Sequence, residues 1–210
     1  MTDPDVRSQH FVSIGQWASL WALLLCFLSP HAAAANNAHL VDALRSGGLV
    51  VLIRHAATES GTGDPPGFQL DDCTTQRNLS VAGRDQARAL GAWFGAQRIP
   101  VGEVRSSRWC RCLDTAKLAF AAQTKVIPSP PLDSFFDARH RADAATAAAL
   151  AGLANPIAGN RIWVTHQVNI TALSGIYPAP GELVVMQPRA RPDGGYRLEL
   201  MGRLTPGMAP

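Results

Sequence analysis

Arg54 and His55 stand side by side directly after the apolar run Leu49 to Ile53, and His166 stands directly after the run Arg161 to Thr165. Arg111 lies on the segment that follows a third short apolar run, Val101 to Val104. A lone histidine past a strand is more often a hydrogen-bonded structural residue than a reactive one, so neither imidazole decides anything by itself. The constellation does. A neutral imidazole is a nucleophile, and guanidinium groups grip phosphate oxygens through paired, charge-assisted hydrogen bonds. Two histidines and an arginine at strand ends, with a second arginine on the segment after one, are groups able to bind an anion and to attack it.

The elements that must hold these residues follow from periodicity. Leu49-Val50-Val51-Leu52-Ile53 is continuous, apolar and rich in β-branched residues, as a strand buried on both faces requires. Val101 to Val104, Lys125 to Ile127 and Arg161 to Val164 read as further strands, with Leu183 to Met186 and Tyr196 to Leu200 as closing strands joined through Pro192-Asp193-Gly194-Gly195. Helices are expected over 39–45, from the cap Ser80 to about Gln97, over 109–122, over 143–153 and over 169–173. Strands alternating with helices predict an α/β three-layer sandwich, a mainly parallel central sheet flanked by helices. In such folds ligands bind beyond the carboxyl ends of the strands, where Arg54, His55 and His166 fall. The connection from Ala56 to Asn78 is long, polar and rich in glycine and proline, a length that is usually functional when it is ordered.

Composition sets the frame. Hydrophobic residues make up 47% and charged residues 17%, which is globular. A net charge of +3 without a basic block argues against a nucleic-acid partner. Of 19 basic residues only Lys117 and Lys125 are lysine, a bias that suits bidentate phosphate binding and that genome base composition also explains. At the N-terminus, Arg7 and His10 precede the apolar stretch Trp17 to Leu28, then Pro30 and Ala32-Ala33-Ala34-Ala35. This reads as a signal peptide or N-terminal anchor over 1–35, cleaved near Ala35, ahead of a domain over 36–210. The expected location is the periplasm or beyond it, or the inner membrane if the segment is retained. Export permits a disulfide. Cys110 and Cys112 do not face each other on a helix, so Cys73 would pair with one of them; the alternative is three buried thiols.

The sequence resembles the histidine phosphatase superfamily, which includes phosphoglycerate mutases and acid phosphatases. The resemblance lies in Leu52-Ile53-Arg54-His55-Ala56, in Asn78 to Ala87 with Leu79, Ser80, Gly83, Gln86 and Ala87, in Val104-Arg105-Ser106-Ser107 with Arg111 and Thr115-Ala116, and in Val164-Thr165-His166. It implies that His55 forms a phosphohistidine, that Arg54 and Arg111 hold the phosphoryl oxygens, and that His166 donates a further hydrogen bond. Relatives often carry a carboxyl after the third strand, or an aspartate after the second histidine. Gln167 fills the second place here, so Asp133 is the expected proton donor, with Asp64 and Asp137 as rivals. Ser106 and Gln167 are candidate substrate contacts, and Ser107 and Asn169 are helix-capping or substrate-reading residues. Arg77 is either a phosphate contact or a surface ion pair. The long loop, with Phe68, would form a lid. No metal or other cofactor is expected. The implied substrate is a small phosphorylated molecule, with a phosphorylated sugar or cell-envelope glycan as one idea.

Other chemistries fit less well. No cysteine has an arginine at the spacing of a phosphate-binding loop, and Ala172-Leu173-Ser174-Gly175 lacks the first glycine of a serine-hydrolase elbow. A phosphomutase or a non-catalytic phosphate-ester-binding module of the same fold remain as alternatives.

Overall fold

The computed structural model describes residues 30–206, with side chains from residue 37 onward. The chain divides into two units, 1–36 and 37–210, and the second holds every element discussed below except the start of the first helix. The expected signal segment lies mostly outside the described residues.

Six strands form one sheet: β1 (Val50–Arg54), β2 (Val101–Ser106), β3 (Val126–Pro128), β4 (Asn160–Thr165), β5 (Leu183–Ala190) and β6 (Tyr196–Leu204). Their order is β3-β2-β4-β1-β5-β6. The first four run parallel, whereas β5 joins β1 and β6 joins β5 antiparallel. The apolar runs thus become the centre of the sheet, and β4 is buried along its whole length. Side chains alternate between two cores. Val51, Ile53, Ile162 and Val164 enter one, packed beneath α1 (Pro30–Ser46), α2 (Val81–Ala96) and α3 (Cys110–Phe120). Val50, Leu52, Trp163 and Val184 enter the other, beneath α4 (Ala142–Ala151) and α5 (Gln167–Ser174). The expected three-layer sandwich is present.

Three boundaries differ from expectation. α1 starts at Pro30 rather than 39, because the alanine run Ala32 to Ala35 continues the helix. α5 starts at Gln167, so His166 occupies its N-cap position. The closing strands run several residues longer, since the turn at Arg191 to Gly195 lets both arms pair out to Ala190 and Tyr196.

The connection from Ala56 to Asn78 is ordered by specific ties. It contains a 3₁₀ turn at Cys73–Thr75 capped by Asp72, and a bridge pairs Thr58 with Leu79. A disulfide joins Cys73 to Cys110 at the start of α3, leaving Cys112 buried and free. Of the two pairings expected for Cys73, the one with Cys112 is excluded: that thiol points under α3 toward His166 instead. Ser80 caps α2 as predicted, accepting from Gly83 N–H at 3.0 Å. Gly83 also lets α2 come down on the backbone just past His55, where an added Cβ would meet Ala57 O at 1.8 Å.

Candidate active site

β1 and β4 are neighbours in register, Arg54 facing Thr165. Their carboxyl ends therefore deliver His55 and His166 to one place, with ring centroids 5.5 Å apart. α3 begins beside them and supplies Arg111. All four expected groups, Arg54, His55, Arg111 and His166, line a single cavity of about 310 Å³.

The orientation of His55 is fixed. Its Nδ1 lies 2.9 Å from Ala56 O. A carbonyl only accepts, so Nδ1 carries the proton and Nε2 keeps its lone pair. Burial lowers its pKa to about 3, helped by the charges of Arg111, Arg54 and Arg77 and opposed by the bond to Ala56. The ring is thus neutral at any physiological pH. His166 is also driven well below its usual range, by burial first and then by His55 and the same arginines. Its Nε2 lies 2.9 Å from Ser107 Oγ and 3.4 Å from the Cys112 sulfur.

The arginines are held in place by protein oxygens. Arg54 Nη1 donates to Pro178 O at 2.9 Å. Arg111 is buried and grips Asp64 with both terminal nitrogens, Nη1 to Oδ1 at 2.7 Å and Nη2 to Oδ2 at 3.1 Å. Asp64 also accepts from Arg77 N–H and Trp109 Nε1. Burial opposes its charge, but these donors prevail and hold its pKa below the usual carboxylate value. The sequence offers little sign of this pair, because Asp64 and Arg111 are 47 residues apart and only the ordering of the loop brings them together.

Of the expected contacts, Asp133, Ser106, Ser107 and Asn169 do not line the cavity. Asp133 is buried, and its carboxylate is taken up by Arg108, at 2.8 Å from the backbone N–H and 2.8 Å from Nε, and by Ser107 Oγ at 3.3 Å. It does not line the cavity, so the place given to it as proton donor is corrected: it braces Ser107 and Arg108. Ser106 is fully buried, gives its hydroxyl to Ser107 O and does not open on the cavity. Asn169 donates to Asp133 O and is structural. Gln167 does line the cavity, as do Asp64, Asp137 and Arg77. Phe68, Trp109, Phe136 and Tyr177 add aromatic surface to the same cavity, and of these only Phe68 was singled out in the sequence. Among the described residues no cluster of side chains is suited to a metal ion.

The sequence model of the Histidine phosphatase superfamily (branch 1) matches residues 50–135, from β1 to just past β3. His166 lies beyond that segment, and the sheet brings it back to the matched residues. The sheet order and the gathered histidines and arginines agree with that match, which covers less than half of the chain. No curated protein sequence matches the chain. Among solved structures, the protein histidine phosphatase SixA complexed with tungstate aligns with a TM-score of 0.50 and 15% identity, covering 75% of this chain and 97% of that one. The mycobacterial glucosyl-3-phosphoglycerate phosphatase aligns with a TM-score of 0.51 and 19% identity, covering 73% of this chain and 98% of that one. At these identities the likeness is one of fold.

Proposed function

We propose that this chain is an exported, metal-independent phosphomonoester hydrolase that works through a phosphohistidine on His55. A phosphatase of the histidine type is supported by the superfamily match over residues 50–135 and by the residues that line the cavity. The observation that carries the mechanism is the bond from His55 Nδ1 to Ala56 O, which leaves Nε2 free and unprotonated beside Arg54 and Arg111. Nε2 attacks phosphorus, and the bond from phosphorus to the ester oxygen breaks. The leaving oxygen takes a proton. Water then attacks the phosphohistidine and releases phosphate. Phosphoryl transfer depends on positioning and charge stabilisation, which fixed guanidinium groups supply without a metal.

With Asp133 turned away and Asp64 held ionised by Arg111, Asp137 is the remaining carboxyl on the cavity and is the proposed proton donor. The aromatic surface of Phe136 and Tyr177, both exposed, suits the face of a phosphorylated sugar, in line with a small sugar or envelope-glycan phosphate as substrate. Export is supported by the apolar stretch Trp17 to Leu28, the alanine run after it and a disulfide in the folded domain. No described helix is long and apolar enough to cross a membrane.

The test is release of phosphate from p-nitrophenyl phosphate and from a sugar phosphate in the presence of a chelator. His55→Ala is expected to abolish both. Asp137→Asn is expected to lower kcat on the sugar phosphate by about tenfold or more while sparing p-nitrophenyl phosphate, whose leaving group needs no acid. Full activity in His55→Ala would end the proposal, and equal effects on the two substrates would remove Asp137 as the acid. A wild-type chain that binds phosphate esters without turnover would instead be a binding module.

A further inference from the structure

Arg77 lines the same cavity as His55 and has no part in the mechanism above. It sits where the long loop returns to α2. Its Nη1 donates to Thr58 Oγ1 at 2.8 Å and to Gly61 O at 2.9 Å. Its Nε is enclosed by protein and has no hydrogen-bond partner among the described residues. Arg54 and Arg111 share this pattern. Arg54 is anchored at Nη1 by Pro178 O and Arg111 at both Nη1 and Nη2 by the Asp64 carboxylate, and each has a buried Nε without a partner among the described residues. One other described arginine, Arg105, has such an Nε, but that nitrogen lies 2.9 Å from Glu103 Oε1 and away from the cavity.

A guanidinium carries five donors in a planar fork. Held at Nη1, as Arg77 and Arg54 are, it keeps its Nε–Nη2 edge for a second bidentate acceptor, and Arg111, held at both terminal nitrogens, keeps Nε–H and the second Nη2 hydrogen. Leaving a buried charged donor unpaired costs more than a neutral one, so three such edges beside one nucleophile call for a common oxygen-rich anion. A phosphoryl group presents three non-bridging oxygens. Among the residues lining the cavity, Arg54, Arg77, Arg111 and Arg141 less Asp64 and Asp137 leave a formal net charge of +2, which matches a phosphomonoester dianion.

We propose that Arg77 is a third phosphoryl-binding arginine of this site, and that Asp64 is a positioning residue that holds Arg111 so that its Nε edge stays available. Arg77 thereby couples the loop to the substrate, since Thr58 and Gly61 fix its guanidinium and the Cys73–Cys110 disulfide anchors the segment just before it. The inference rests on the phosphatase reading for its ligand, but its test does not need turnover.

Calorimetric binding of inorganic phosphate to the full chain carrying His55→Ala reports the site alone. Adding Arg77→Ala is expected to weaken phosphate by about tenfold or more. Arg77→Lys keeps the charge but not the planar edge, and is expected to fall between the two. Affinity equal to the His55→Ala parent in Arg77→Ala, or in Arg77→Lys if the alanine variant does not fold, overturns the assignment. A wild-type chain that binds phosphate through Arg77 but hydrolyses no ester would end the phosphatase reading and leave this one standing. Unchanged turnover in Arg77→Ala would do the reverse.

Discussion

His55 and His166 are buried as neutral rings, and both are held below the pKa of a free imidazole, His55 at about 3. The unfolded chain regains the ordinary value near 6.5. Below that pH the unfolded state binds protons that the folded state refuses, so stability must fall as pH drops from about 6.5 toward the folded value. Each imidazole contributes at most about 1.4 kcal/mol per pH unit over that window. The thermal midpoint should therefore decline between pH 6.5 and 4.5, and His55→Asn should make the decline shallower. Parallel pH profiles for the two proteins would show that His55 is not buried neutral. At this scale the sequence was informative about strand-end residues and poor on loop residues. Arg54, His55 and His166 could be read because a strand end fixes where a side chain goes. Asp133 was misplaced because its position after β3 does not say which way a turn presents its carboxyl, and Arg108 and Ser107 claim it. Asp64 and Arg77 owe their places to loop contacts that no periodicity encodes.

The long loop is the element on which the site depends most. It has no regular structure apart from the turn at Cys73–Thr75, yet it supplies Asp64, Phe68 and Arg77 to the cavity. The disulfide closes a loop with a sequence separation of 37 and fastens it to the residue before Arg111. By chain-entropy arguments such a link stabilises by up to about 4 kcal/mol. Replacing both Cys73 and Cys110 by serine should lower the urea unfolding free energy by no more than that amount. It should also raise KM severalfold, because the loop that sets Asp64 against Arg111 is freed. A drop in stability with KM unchanged would mean that the other ties, such as Gln76 Oε1 accepting from Cys110 N–H at 3.0 Å, hold the loop by themselves. The regular elements were legible throughout. Strands buried on both faces announce themselves as unbroken β-branched runs, and Ser80 announced the start of α2. Strand direction was less so, since the apolar pattern of β5 is the same whether it pairs with β1 parallel or antiparallel.

Across the whole molecule, the boundary between the expected targeting segment and the folded domain falls inside α1, and the two ends of that helix have different consequences. Leu40 and Leu44 are fully buried in the larger core. Leu40 packs where Gly202 of β6 leaves room, an added Cβ there lying 2.5 Å from Leu40 Cδ1. Asn160 Nδ2, at the start of β4, donates to Leu44 O at 2.7 Å. Burial of two leucines contributes about 3–6 kcal/mol, and one buried hydrogen bond about 1 kcal/mol more. That sum is comparable with the whole stability of an ordinary domain, about 5–15 kcal/mol. A chain beginning at Asn37 keeps all of these contacts, whereas one beginning at Gly47 keeps none. The first should therefore unfold cooperatively and release phosphate from p-nitrophenyl phosphate with the kcat/KM of the chain cleaved near Ala35. The second should show no cooperative urea transition, or one weakened by several kcal/mol, with its activity lost. If the shorter chain matched the longer in both, α1 would be dispensable and the domain would begin at β1. If the chain from Asn37 failed to fold, residues before it would belong to the domain, and cleavage near Ala35 would be the wrong boundary for the mature protein.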